Sequence, residues 1–129
     1  MSVASVTFIV PGEPVGKERP RAARMGGLVR LYTPAKTRDY EQRVAHTADV
    51  AATAQGYEHP ERGWYELTVD VYRTHERKGP DLDNIGKAIA DACNGVLWRD
   101  DSEVRQVLVR LCGWGEAPRV EVTARAWPY

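Results

Sequence analysis

Apolar and polar positions alternate in several short runs and repeat at helical spacing in two longer ones. Residues 3–10 alternate, with Val6, Phe8 and Val10 on one face, and predict a first strand. Residues 11–27, PGEPVGKERPRAARMGG, carry three prolines and four glycines and predict a loop, expected to be flexible. Residues 28–32, LVRLY, fit a short returning strand. Thr33-Pro34 then reads as a helix start, a capping hydroxyl followed by proline at the first helical position. That helix extends to about Gln55 on a thin stripe of Tyr40, Val44, Ala48 and Ala51, and Gly56 closes it. Residues 64–73 alternate strictly, placing Tyr65, Leu67, Val69 and Val71 on one face of a strand. A polar stretch broken by Gly79-Pro80 leads to a second helix over 83–95, with Ile85, Ile89 and Ala92 as its buried face and an exit at Asn94-Gly95. Strands at about 103–113 and 119–127 follow, separated by a Gly113–Pro118 turn. This order predicts a single α+β domain over residues 1–129, with a mixed sheet of about four to five strands and two helices laid on it.

The composition fits a globular chain: 43% of the 129 residues are hydrophobic and 28% charged. No apolar run approaches the ~20 residues of a membrane helix. The amino terminus lacks the basic stretch of a secretory signal, which predicts a cytoplasmic protein. Cys93 and Cys112 form no CxxC pair and are expected to be reduced, packed thiols; His46, His59 and His75 lie too scattered for a zinc site. Net charge is zero, which alone argues against a nucleic-acid partner, but the distribution changes that picture. Residues 1–43 hold eight Lys/Arg against four Asp/Glu, and residues 44–129 hold ten against fourteen. A basic front half suits phosphate and an acidic second half suits a cation.

The acids concentrate in one stretch. Asp81 and Asp83 stand two apart after Pro80, so in extended chain both carboxylates point to one side. Asp83, Lys87 and Asp91 share a helical stripe opposite Ile85 and Ile89. Asp100 and Asp101 follow the helix, and a chain that turns back there brings them toward Asp81 and Asp83. Such crowding favours a divalent cation, and Mg²⁺ suits carboxylate ligands with retained water. Carboxylate-held Mg²⁺ beside a lysine supports phosphodiester hydrolysis, the lysine offsetting developing negative charge. Plainer roles also fit: Asp83 as a helix cap, Asp81 as a turn residue, Asp83–Lys87 as a surface ion pair, Asp100-Asp101 as a solvated turn. A calcium EF-hand loop does not fit, because Ile85 and Ala92 occupy ligand positions.

The ordered set Asp81-Leu82-Asp83-Asn84, Lys87, Asp91 and Asp100-Asp101-Ser102-Glu103-Val104 resembles the RusA family of Holliday-junction resolvases. The run Pro14-Val15-Gly16-Lys17-Glu18-Arg19-Pro20-Arg21 and the later Tyr32-Thr33-Pro34 resemble one branch of it. The resemblance covers about residues 5–125. It implies a homodimer that cuts opposed strands of a four-way DNA junction in recombination and repair, using Mg²⁺, with Mn²⁺ as a substitute. It implies catalytic roles for Asp81, Asp83, Lys87 and Asp101, with Asp81, Asp83 and Asp101 holding metal. The segment between Lys87 and the acidic pair is slightly shorter than in the best-known member, so Asp100 stands beside Asp101 as a metal candidate. Glu103 occupies a position where glutamine is frequent; it is either an added ligand or a solvent-facing strand residue.

Lys17, Arg19, Arg21 and Arg24 are the candidate phosphate contacts, with Arg38 and Arg43 weaker ones. Trp64, Trp98, Trp114 and Trp127 are expected in the core or an interface rather than as base-stacking platforms. Two rival readings remain: a catalytically silent junction-binding protein, and a metal-dependent hydrolase of small phosphoesters.

Overall fold

The alternating segments pair largely as their patterns demand. The computed structural model describes residues 4–129; Val3, expected to open the first strand, lies outside the described residues. The elements are β1 (Ala4–Pro11), β2 (Arg21–Met25), β3 (Leu28–Tyr32), α1 (Ala35–Gln55), β4 (Gly63–Arg73), α2 (Leu82–Ala92), a 3-10 turn η1 (Asp101–Glu103), β5 (Val104–Trp114) and β6 (Arg119–Pro128). Four strands form one mixed sheet in the order β1-β6-β4-β5. β6 runs antiparallel to both of its neighbours, and β4 runs parallel to β5. A parallel pair needs a crossover, and α2 with η1 supplies it.

The predicted faces hold. Val6, Phe8 and Val10 join Tyr65, Leu67, Val69 and Val71, and Val120, Val122 and Ala124, in one buried layer. Tyr40, Val44 and Ala48 of α1 and Ile85 and Ile89 of α2 cover it. The opposite face stays partly open to solvent, and there Trp64 stacks on Trp127 with ring centroids 5.5 Å apart. Trp98 is fully buried, whereas Trp114, expected in the core or an interface, is 58% exposed at the end of β5. Both thiols are unbonded; Cys93 is buried and Cys112 exposed.

Several details differ from expectation. Residues 11–27 are not loop throughout, because Arg21–Met25 is a strand paired with β3 in a separate two-stranded sheet. Met25 pairs with Leu28 across Gly26 and Gly27, whose φ values of 56° and 83° suit a two-residue turn of primed type. Thr33 is not the cap of α1; Pro34 takes the N-cap position without a side-chain bond. Ala52 rather than Ala51 completes the buried stripe of α1. α2 begins at Leu82 with Asp81, not Asp83, at its N-cap, and it ends at Ala92 because Asn94 turns to bridge Trp98.

Gly86 fixes how α2 meets the sheet. A Cβ there would stand 2.8 Å from Val109 Cγ2, so the glycine lets the helix backbone rest directly on β5. This close approach puts the polar stripe of α2 beside the start of β5.

Candidate active site

Asp83 and Lys87 are exposed and Asp91 is half-buried, at four-residue intervals along α2. The other half of the site arrives from the turn after the helix. The Trp98 Nε1–H donates to Ala90 O at 3.2 Å and to Asn94 Oδ1 at 3.1 Å. The Tyr57 hydroxyl donates to Leu97 O at 2.7 Å. These buried anchors pin residues 93–98 under α2, and η1 follows at once. Asp101 then lines a cleft of about 550 Å³ together with Asp83 and Lys87, on apolar walls that include Val104, Val107 and Val109.

The adjacent acids Asp100 and Asp101 take different roles. The Asp100 carboxylate accepts from Ser102 N–H at 2.9 Å, and Glu103 Oε1 accepts from Asp100 N–H at 3.2 Å. This reciprocal cap explains why Ser102 holds the Asp100 carboxyl below its ordinary range. It also accounts for Glu103, which caps η1 instead of acting as a plain strand residue. Asp100 lines a separate cleft with Arg99 and Glu103. Asp101 goes the other way. Partial burial, then a hydrogen bond and repulsion from Asp91, push its carboxyl above the ordinary range.

Asp91 therefore belongs to the site, a position its stripe pattern marked without showing its partners. Lys17 Nζ donates to Glu41 Oε1 at 2.7 Å and lies 3.1 Å from Asp91 Oδ2. Partial burial pushes the Lys17 ammonium down, and its two carboxylate partners outweigh that and hold it above its ordinary range. Lys17 is thus engaged with acids from both helices, whereas Arg19, Arg21 and Arg24 are exposed. Lys87 makes no ion pair among the described residues, so the surface pairing with Asp83 does not form. Its ammonium is left for the cleft.

Asp81 stands at the N-cap of α2, with Asp83 in the first turn. Asp81 lines a neighbouring cleft of about 500 Å³ with Pro14–Glu18, Lys36, Pro80 and Asn84. Lys17 N–H donates to Asn84 O at 2.9 Å. A Cβ on Gly16 would come within 2.7 Å of Pro80 Cβ, so only glycine permits this contact. The loop before Asp81 is held by Arg73, which is 9% exposed and donates to the carbonyls of His75, Pro80 and Glu76 at 2.9, 2.9 and 2.6 Å. Nothing in the sequence separates Arg73 from an ordinary strand-end arginine.

Among the described residues, no three carboxylate, imidazole or thiolate groups gather closely enough to ligate one ion. The donors that do share the cleft suit a hard cation that keeps most of its water and takes one or two carboxylates.

The sequence model of the family described as Endodeoxyribonuclease RusA matches residues 11–125. The chain is 33% identical over 140 residues to a Bacillus subtilis (strain 168) protein described as "Uncharacterized protein YqaN", covering 93% of this chain and 95% of that protein.

Proposed function

The chain belongs to the RusA endodeoxyribonuclease family, and from that premise we propose that it resolves Holliday junctions in recombination and repair as a Mg²⁺-dependent homodimer. The enzyme class and the branched-DNA substrate come with the family, whose members are generally dependent on divalent metal. The identity of the metal, the residue roles and the dimer are our reading.

The observation that carries the reading is the cleft shared by Asp83, Lys87 and Asp101. Asp83 and Asp101 are the carboxylates that would hold the cation, with Asp91 behind Asp101. Asp81, two residues before Asp83 and lining the adjoining cleft, is proposed as the third acid for the cation, and Asp100 is assigned to the cap of η1. A bound divalent cation would reduce the charge repulsion at the scissile phosphate and activate water for attack on phosphorus. Lys87 places a positive charge where negative charge grows on the phosphate oxygens. Arg19, Arg21 and Arg24 are assigned to flanking phosphates, which position DNA without reading its sequence. Lys17 orders the site through Asp91 and Glu41.

A junction has local two-fold symmetry, so an isologous dimer would present two identical sites to two strands. β5 is an edge strand with Leu108 44% exposed outside the cleft, which supports burial against a second copy. A monomer by light scattering at micromolar concentration would count against the dimer.

The central test is cleavage of a synthetic four-way junction by wild type and Asp83→Asn, with Mg²⁺ or EDTA. Paired nicks from wild type only with Mg²⁺, and binding without cutting by the variant, are the expected results. Binding by wild type without cleavage under any divalent metal would favour the silent junction binder.

A further inference from the structure

The β2–β3 hairpin exposes apolar side chains that nothing in the fold covers. Met25 is 61% exposed, Leu28 74%, Val29 65% and Leu31 69%. A hairpin of two strands is marginal in water by itself, so this one has the character of an arm that gains order on a partner. Its charge restricts that partner. Residues 19–32 contain four arginines and no acidic residue. The pairing register spreads them over both sides: Arg21 and Arg30 share a face with the Met25/Leu28 pair, and Arg24 shares the other with Leu31 and Val29. A second copy of the hairpin would set arginine against arginine, whereas a polyanion would meet arginine on either face. The stems emerge from the Asp81 cleft, which Glu18 lines on one side of the hairpin and Lys36 on the other. Five residues per strand reach about 16 Å, beyond the ~8.5 Å depth of a DNA major groove.

We infer that this hairpin is a wedge for branched DNA: Met25 and Leu28 enter the opened centre of a junction, while Arg21, Arg24 and Arg30 hold the phosphates around it. The inference rests on the junction-cleavage reading and adds how branched DNA is told from linear duplex. Apolar side chains inserted between base pairs must pay for unstacking. At a branch point the stack is already interrupted, so insertion costs less there than in continuous duplex. The tip thus supplies preference for structure and the arginines supply affinity independent of structure.

The test uses the full chain in EDTA, so that binding is seen without cleavage. Substrates are a four-way junction with 2-aminopurine at the branch point and a linear duplex of the same arms. Wild type should prefer the junction and raise the 2-aminopurine fluorescence as the base unstacks. Met25→Ser/Leu28→Ser should lower the junction preference about tenfold and abolish the fluorescence rise, with duplex affinity kept within about twofold. Arg21→Gln/Arg24→Gln/Arg30→Gln should instead weaken both substrates together and flatten the salt dependence. The tip packs on no core residue, and unchanged melting of both variants verifies that they fold. A tip variant that retains the junction preference and the fluorescence rise overturns the wedge alone. Conversion of a wild-type dimer to a monomer by the tip variant overturns it in favour of a second copy as occupant. A wild type without affinity for the junction overturns the wedge and the junction reading together.

Discussion

Lys17 Nζ lies 3.1 Å from Asp91 Oδ2, and Asp91 in turn stands beside Asp101 of η1 and helps push its carboxyl above the ordinary range. A lysine from the basic amino-terminal segment is therefore part of the acidic site. It offsets the repulsion among carboxylates and ties α1 to α2 through its shorter contact with Glu41, at 2.7 Å.

Lys17→Met leaves Glu41 and Asp91 half-buried without a cation. Removal of a charged hydrogen-bond partner at a partly exposed site costs about 1–2 kcal/mol, or about 4–8 °C in Tm for a domain of this size. The folded Lys17 pKa is raised, so its stabilisation is fully present below the ordinary value of 10.5 and is lost as pH rises through the raised value. Melting curves of wild type and variant should converge in strongly alkaline buffer, and a constant gap across pH would refute the ion-pair role.

Asp101→Asn should gain stability as it loses function. The folded carboxyl titrates above its ordinary 3.8, so its favourable contribution exists below that value and disappears as pH climbs through the folded one. At neutral pH the ionised side chain opposes folding in metal-free protein. The variant should melt about 1–3 °C above wild type in EDTA, with the gap narrowing toward pH 4. Added Mg²⁺ should raise the Tm of wild type but not of the variant. Junction cleavage should fall on the order of 100-fold or more. A variant that melts below wild type in EDTA contradicts the assignment.

Asp100→Ala separates cap from site. Loss of the carboxylate that accepts from Ser102 N–H should lower Tm by about 2–4 °C. Cleavage by Asp100→Ala should remain far above that of Asp101→Asn, and Asp100→Asn, which can still cap, should recover most of the Tm. Equal loss of cleavage in the two alanine variants, Asp100→Ala and Asp101→Ala, would return Asp100 to the metal.

Arg73→Met removes a buried guanidinium bonded to three loop carbonyls. The loss of those bonds should cost about 2–3 kcal/mol and loosen the approach to Asp81. Hydrogen exchange should rise in residues 74–81 before it rises in β4. Lysine supplies one ammonium in place of the planar fork, so Arg73→Lys should rescue only in part. Uniform exchange across the chain would mean that Arg73 supports the whole fold rather than this loop.

Sequence by itself determined the strands of the main sheet, both helices and the core. Strict alternation at Tyr65, Leu67, Val69 and Val71, and helical spacing at Tyr40, Val44 and Ala48, leave one way to bury each face. The ordered acids and Lys87 identified the family, because spacing along one chain is all that resemblance needs. The β2 strand was illegible for a physical reason. Arg-Ala-Ala-Arg-Met has no apolar face, and its pairing follows from the Gly26-Gly27 turn and from β3 rather than from burial.

Only the tertiary structure decided which of the like-charged neighbours face the cleft. Asp100 and Asp101 are identical in type and adjacent, and the η1 cap alone sends one to backbone amides and the other to Asp91. Lys17 and Arg19 read alike as basic loop residues, yet the packing of Gly16 against Pro80 brings Lys17 onto both helices and leaves Arg19 in solvent. Periodicity reports burial, which is local to each element. Partner choice among exposed charges is set by which elements meet, and it took the β4–α2–β5 crossover to bring them together.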